Sequence, residues 1–232
     1  MKLAIMQPYI FPYIGYYQLM NAVDKFVVYD DVNYINRGWI NRNNVLVNGK
    51  ACLFTIPLNG ASQNMLINEV ELAKDNKWRS KLLKTIELSY KKAAFFKEVF
   101  ALIADVLNAE KTHIHQLALL SLQTVATYLE LKVNIETTSA IYNNRHLSGQ
   151  ARILDTCKQE NADHYINAIG GREIYTPPLF EQEGIKINFI KAGSIEYVQF
   201  NYPFVPNLSI IDVLMFNSKD AVQAMLNNYS LL

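Results

Sequence analysis

The stretch from Arg37 to Asn43 holds the densest set of side chains suited to ligand binding. It places the guanidiniums of Arg37 and Arg42 beside the indole of Trp39 and the amides of Asn41 and Asn43. Guanidiniums bind carboxylates and phosphates through paired hydrogen bonds, and an indole offers a surface for stacking. We therefore expect these five residues to bind a small anionic substrate. The structural alternative is a polar connection with one packed tryptophan.

An acidic pair, Asp30 and Asp31, follows the apolar run Lys25–Tyr29. Carboxylates at the end of a strand can act as a general base or hold Mg²⁺ beside a phosphate. Asp30 and Asp31 are therefore the candidate catalytic residues, and a metal role stays open for both. The alternative is an ordinary solvated turn.

A loop rich in proline, tyrosine and glycine follows the first apolar run, Lys2–Met6. From this loop we select Gln7, Tyr9 and Gly15 as substrate-binding residues, because a helix beginning near Gly15 would present free backbone N–H groups to an anion. The chain contains neither GxGxxG nor GxxxxGK[ST], which disfavours the standard dinucleotide and P-loop sites. The alternative is that the tyrosines of this loop only form a packed wall.

A further polar segment ends the apolar run Asp163–Asn167. Asn167, Gly170, Gly171 and Arg172 could fix polar or charged substrate groups there. A pair of glycines after a strand indicates either a tight turn or a close approach of backbone to ligand.

Strands alternating with helices predict an α/β fold, Rossmann-like, with a mostly parallel sheet. The Asn48-Gly49 dipeptide predicts an inserted β-hairpin, an arm over about 38–58. Apolar residues at helical spacing predict three helices over about 76–131, broken near residues 92–93 and 109–110. We expect one α/β domain over residues 1–232. In a parallel sheet the loops after the strands at 2–6, 25–29, 133–139 and 163–167 would gather on one edge.

The charge balance, 22 Lys+Arg against 21 Asp+Glu, gives a net charge of +1. Nucleic-acid binding is therefore disfavoured, because it usually needs a basic excess. The N-terminus lacks the apolar core of a signal peptide, and no run of about 20 apolar residues predicts a membrane span. Cys52 and Cys157 are expected to be buried thiols of a reduced, cytoplasmic protein.

Arginine is scarce, with six residues, whereas asparagine occurs 23 times. Five of the six arginines lie in or beside the expected strand-end loops or the arm, which predicts a locally basic, Asn-lined cleft for a small anion. They are Arg37, Arg42, Arg145, Arg152 and Arg172.

Four segments together resemble the WbqC-like protein family of bacteria. They are Met6–Tyr9 with Phe11–Tyr16, Tyr29–Val32 with Gly38–Asn43, Ala162–Asn167 with Gly170, Gly171 and Tyr175, and Phe204–Asp212, so the resemblance covers almost the entire chain. It implies a role connected with O-antigen and other cell-surface polysaccharide loci. A weaker similarity concerns adenylate-forming and nucleotidyl-transferring enzymes of the pantothenate synthetase type, whose HxGH signature is replaced here by Phe11–Tyr16.

The leading hypothesis is a cytosolic transferase that acts on an activated sugar or a small carboxylate- or phosphate-bearing substrate. Mg²⁺ or a nucleotide-linked donor would be its cofactor, and a small anionic metabolite or nucleotide sugar its partner, with no nucleic acid and no membrane insertion. The alternatives are a non-catalytic binding or assembly protein of the same pathway, and a nucleotidyltransferase-like or adenylate-forming enzyme.

Overall fold

Ten strands and eight helices make up the computed structural model, which describes residues 1–232. The strands are β1 (Lys2–Met6), β2 (Lys25–Val28), β3 (Arg42–Val47), β4 (Lys50–Thr55), β5 (Leu58–Asn59), β6 (Glu71–Leu72), β7 (Asn134–Glu136), β8 (His164–Ala168), β9 (Lys186–Ala192) and β10 (Tyr229–Leu231). The helices are α1 (Ile14–Asn21), α2 (Lys77–Tyr90), α3 (Phe96–Asn108), α4 (Ile114–Tyr128), α5 (Gly149–Gln159), α6 (Pro177–Gln182), α7 (Ile210–Phe216) and α8 (Lys219–Met225). Short 3₁₀ turns occupy Ile67–Glu69, Ser139–Tyr142 and Ile169–Ile174.

Six strands form the main sheet in the spatial order β7-β2-β1-β8-β9-β10. All neighbours are parallel except β10, which pairs antiparallel with β9. Counted along the chain, the third, second, first, fourth, fifth and sixth strands of this sheet lie side by side, which is the order of the Rossmann fold. The predicted fold class is confirmed, and the strand order reverses between β1 and β8.

Both faces of the central strands β1, β2 and β8 are buried, whereas the outer strands β7, β9 and β10 are more exposed. Leu3 and Ile5 of β1 belong to a cluster of 10 buried residues that includes Ile153 of α5 and Phe180 of α6. Ala4 between them belongs to a cluster of 44 buried residues. That larger cluster joins α1, the helices α2 to α4, α7 and α8 to the hairpin and the sheet. Alternation along each strand therefore decides which helical layer a side chain meets.

The predicted hairpin is confirmed as β3 and β4, paired antiparallel from Arg42↔Thr55 to Val47↔Lys50. Its turn has positive φ at both central residues, 50° at Asn48 and 73° at Gly49, which is the conformation that favours Asn-Gly. The three predicted helices are confirmed as α2, α3 and α4.

Some elements differ from the expectations. The segment after β5 contains a 3₁₀ turn followed by β6, which pairs with β5 and has one further bridge from Glu71 to His113. Helix α6 and strand β10 were not expected, because both are short and lack a clear apolar period. Cys157 is buried as expected, but Cys52 is exposed because β4 is paired only with β3 and most of its side chains face solvent.

None of the helices combines the length and the apolar character needed to cross a lipid bilayer.

Candidate functional site

The carboxyl ends of β1, β2, β7 and β8 lie on one edge of the sheet, because these strands run parallel. The four strand-end loops singled out in the sequence therefore start from the same edge. In open α/β sheets ligands bind outside this edge, at the point where the strand order reverses. Here that point lies between β1 and β8, so the loop from β1 to α1 borders it directly.

Phe11, in the middle of the β1–α1 loop, is held in a strained backbone conformation by three distant elements. Its φ is 41°, in a region that bulky residues rarely adopt. Its carbonyl accepts hydrogen bonds from Asn43 Nδ2 (2.8 Å) and Ser209 Oγ (2.6 Å), and its N–H donates to Ser121 Oγ (3.1 Å). The arm, the cap of α7 and helix α4 therefore fix the shape of this loop.

An open cleft of about 300 Å³ lies against this loop, and we call it the aromatic cleft. Three chain segments supply its lining: the β1–α1 loop, the arm and the loop before α7. The lining residues are Tyr9, Pro12, Tyr13, Trp39, Asn43 and Asn207. Burial raises the pKa of Tyr9 and Tyr13, which keeps their hydroxyls protonated as hydrogen-bond donors. The cleft therefore combines stacking surfaces with polar groups at its rim.

Arg42 lies beside the exposed indole of Trp39, with its guanidinium carbon 5.8 Å from the ring centroid. Its Nε donates to the Gly38 carbonyl (2.9 Å), and its two terminal nitrogens have no hydrogen-bond partner in the chain. Trp39 is 46 % exposed, which is high for so large an apolar side chain. A ring stacked on Trp39 would therefore lie next to a fixed cation that is free to bind an anion.

The amides of Asn41 and Asn43, which were predicted to bind a ligand, make hydrogen bonds within the protein. Asn41 is buried, accepts from the Tyr34 hydroxyl (2.9 Å) and donates to the Ile56 carbonyl (2.8 Å). Asn43 donates to Phe11, and its Oδ1 accepts from the Asn44 N–H (2.8 Å). Asn43 therefore holds the arm against the β1–α1 loop, whereas Asn41 joins the ends of the two strands within the arm to each other and to Tyr34. Arg37 lies apart from them, exposed in a turn with φ of 60°.

The start of α1 is covered by its own N-cap residue. The ring of Tyr13 lies where a Cβ on residue 15 would lie, so glycine is needed at Gly15 for this packing. Tyr13 provides no side-chain cap for the helix. Gln7, half-buried at the end of β1, accepts a hydrogen bond from the Tyr16 hydroxyl on its backbone carbonyl (2.5 Å).

Asp31 forms a buried ion pair. Its Oδ2 accepts from Arg152 Nη2 (2.6 Å), and its Oδ1 accepts from the Ser139 hydroxyl. Arg152 also donates to Asn144 Oδ1 (2.8 Å) and lies 4.9 Å over the ring of Tyr29. Both carboxylate oxygens of Asp31 are therefore occupied, and Arg152 is neutralised rather than exposed in a basic cleft.

Only one carboxylate oxygen of Asp30 accepts hydrogen bonds from the chain. Its Oδ1 accepts from Thr138 Oγ1 (2.8 Å) and from the Ser139 N–H (3.1 Å), whereas Oδ2 has no donor in the chain. The side chain is 1 % exposed, and burial raises its pKa. An elevated pKa and a free oxygen suit a general base.

The predicted residues at the end of β8 and in the loop after it form two groups, one buried and one exposed. Asn167 is buried, donates from Nδ2 to the hydroxyls of Tyr165 and Tyr175 (both 2.9 Å) and accepts from the Ala168 N–H (2.6 Å). A Cβ at position 171 would lie 3.3 Å from the Asn167 amide, so Gly171 leaves that amide its space. Gly170 and Arg172 are exposed on the 3₁₀ turn that follows.

The contacts therefore place six of the candidate residues in three neighbourhoods, of which the second and third share Ser139. The aromatic cleft contains Tyr9, Trp39 and Asn43, with Arg42 beside Trp39. The second is the Asp31–Arg152 pair, and the third is the surrounding of Asp30. No group of three or more His, Cys, Asp or Glu side chains has the arrangement that a metal ion needs.

Sequence reasoning missed Pro12, Tyr13 and Asn207 as lining residues. The Pro206-Asn207 dipeptide before the N-cap Ser209 was a sequence signal for a turn. Asn207 has a φ of 58°, a conformation that asparagine tolerates better than most residues. Nothing in the sequence alone shows that it meets Trp39 across the cleft.

A model of the WbqC-like protein family matches residues 7–224 of the chain. The chain is also similar to the uncharacterized protein Rv1507c of Mycobacterium tuberculosis (strain ATCC 25618 / H37Rv), with 27 % identity over 220 residues that cover 93 % of each chain. No solved structure matches it significantly.

Proposed function

Since the chain belongs to the WbqC-like protein family, we propose that it is a cytosolic transferase of cell-surface polysaccharide biosynthesis, O-antigen included. Its substrate would be an activated sugar or a small molecule that bears a carboxylate or phosphate. Family membership supports the pathway, and the geometry of the aromatic cleft supports the substrate class.

One observation carries the proposal: the aromatic cleft lies against the β1–α1 loop of a Rossmann-ordered sheet, where such folds bind ligands. Its volume of about 300 Å³ is at the small end of the range for small-molecule sites. A sugar or base ring would stack on Trp39, and the free nitrogens of Arg42 would bind its phosphate or carboxylate.

The remaining predicted residues take roles consistent with their contacts. Asp30 is the proposed base, because its Oδ2 is free and burial raises its pKa. Asp31 positions the end of β2 through Arg152 and does not reach substrate in this proposal. Gln7 follows β1, one of the two strands that flank the point of order reversal, and would contact polar substrate groups there. Asn167 supports the end of β8 instead, because its amide is used by Tyr165, Tyr175 and Ala168.

A resident Mg²⁺ held by both aspartates does not fit the structure. Asp31 has both oxygens occupied, so the pair offers only Oδ2 of Asp30. Mg²⁺ commonly binds through one or two carboxylates together with substrate phosphates. We therefore propose that any Mg²⁺ would arrive with a nucleotide-linked donor.

A thermal-shift screen tests the proposal with nucleotide sugars, ATP, acyl compounds and amino acids, each with and without Mg²⁺. A ligand at 100-fold excess over its Kd stabilises the folded state by about 2.7 kcal/mol. Arg42→Gln and Trp39→Ala should abolish the shift given by the binding class, whereas Lys97→Gln, which removes one exposed charge on α3, should keep it. Silence of the wild-type protein across all classes would refute the proposal.

A further inference from the structure

A second cleft, larger and more polar, lies between the ends of β2 and β7 and the first half of α4. Its volume is about 710 Å³, and it shares no lining residue with the aromatic cleft. Only Leu119 and Leu120 among its 12 lining residues are apolar. We call it the polar cleft, and we define it by Asp30, Asn68, His115, Gln116, Gln123 and Thr138.

One buried polar atom in this cleft has no partner, His115 Nδ1. Asp30 also lines the cleft, and its Oδ2 receives no hydrogen bond from the chain, since Thr138 Oγ1 and the Ser139 N–H both donate to Oδ1. Buried polar groups are nearly always hydrogen-bonded, so an unpartnered imidazole nitrogen in the same cleft as a carboxylate oxygen without a donor indicates a ligand that satisfies both.

The hydrogen-bonding groups and charges that line the polar cleft indicate which class of ligand it would bind. Burial lowers the pKa of His115 to about 4, so at neutral pH its ring is uncharged and has one donor and one acceptor nitrogen. The amides of Asn68 and Gln123 and the hydroxyl of Thr138 also both donate and accept. The charged residues Glu110 and Lys111 are neighbours of opposite sign, so Asp30 is the unbalanced charge of the lining and disfavours an anionic ligand.

A ring that carries several hydroxyls matches this mixture, because every hydroxyl both donates and accepts. We propose that the polar cleft binds a neutral sugar, with Asp30 Oδ2 and the His115 ring as its central hydrogen-bonding partners. This inference rests on the proposed function only in assigning that sugar the role of acceptor. Of the two substrates that a transferase needs, the polar cleft would bind the acceptor.

Imidazole NMR tests the proposal on the full chain. The chain has four histidines, so ¹⁵N-histidine labelling gives four ring systems, those of His113, His115, His146 and His164. The probes are methyl glycosides of common hexoses and N-acetylhexosamines, titrated to millimolar concentrations. We expect at least one to shift the His115 signals in a saturable way, while His146 and His164, which lie outside the cleft, remain unchanged.

Two variants make the test specific. Asp30→Asn keeps Oδ1 as acceptor for Thr138 and Ser139 and should weaken binding about tenfold or more, because a charged acceptor is lost. Gln123→Ala, on the other wall of the cleft, should weaken it less. No His115 shift with any glycoside, or an equal shift in Asp30→Asn, would overturn the proposal.

The same samples separate this inference from the proposed function. Donor binding is read from the fluorescence of Trp39 and sugar binding from His115. A Trp39 response to donors without a His115 response to glycosides refutes the polar cleft alone. A His115 response without any donor response refutes the donor site and leaves the polar cleft standing.

Discussion

Asp31 and Arg152 form an ion pair of 2.6 Å between Oδ2 and Nη2, with side chains only 2 % and 5 % exposed. The pair joins the end of β2 to α5 across the face of the sheet, and Ser139, after β7, completes it. It lies under the edge from which the strand-end loops start. The pair therefore bears on the stability of the site more than on its chemistry.

Arg152→Met should destabilise the protein by about 3–5 kcal/mol, since it leaves the Asp31 carboxylate buried without its cation. Urea unfolding followed by circular dichroism measures this change. Lys84→Met, which breaks the exposed pair with Glu87, is the matched control and should cost less than about 1 kcal/mol. Equal effects of the two substitutions would show that burial of the pair does not matter.

Asn43→Ala should lower the free energy of unfolding by about 1–3 kcal/mol, because it leaves the buried carbonyl of Phe11 with one donor fewer. The β1–α1 loop should relax with it, so donor affinity should fall as well. Asn44→Ala, at the half-buried neighbouring position, is the control for the loss of an amide in β3. A donor affinity that stays unchanged in Asn43→Ala would contradict the role given to the strained loop.

Gly15→Ala should leave stability nearly unchanged, since alanine favours a helix and the displaced group is the mobile end of Tyr13. Donor affinity should fall several-fold, because Tyr13 lines the aromatic cleft. Isothermal titration of the Tyr13→Ala background completes a double-mutant cycle. In that background Gly15→Ala should have no further effect on binding, and full additivity of the two changes would rule out this explanation.

Acidification should destabilise the protein in part through His115. Its pKa is lowered to about 4 by burial and by His113. Between pH 6.5 and 4, His115 therefore binds a proton in the unfolded chain but not in the folded chain. Stability from this group is therefore full above pH 6.5 and is lost as the pH falls. Asp30, Glu110 and Lys111 face the same cleft.

His115→Gln should reduce the loss of stability between pH 7 and pH 4 by on the order of 1 kcal/mol, after allowance for the partial exposure of the ring. Urea unfolding of both proteins at several pH values gives the difference. An identical pH dependence in the two proteins would show that His115 titrates normally.

The fold could be predicted from the sequence wherever a local sequence pattern determined the structure. Leu3–Met6 is an unbroken apolar run, as a strand buried on both faces requires, and Asn48-Gly49 has the residues that its turn demands. Strand β10 was not accessible, because its position depends on pairing with β9 and not on its own pattern.

The candidate site was only partly accessible for a related reason. Trp39 and Arg42 stand out by residue type. Nothing in the sequence distinguishes Asn41 and Asn43 from ligand-binding amides, yet their side chains turn inward and support the fold. Asp30 and Asp31 are adjacent and chemically identical, yet Arg152, 121 positions beyond Asp31, occupies only one of them. Contacts at such separation depend on the packing of α5 against the sheet.

The central claim, that the aromatic cleft binds an activated sugar, is tested most directly by the fluorescence of Trp39. The chain has two tryptophans, so Trp78→Phe leaves Trp39 as the sole reporter, and titration with nucleotide sugars follows its emission. The account predicts a saturable change for at least one donor, and its loss when Arg42→Gln is added. An emission that no donor changes, or a change that Arg42→Gln leaves intact, would contradict it.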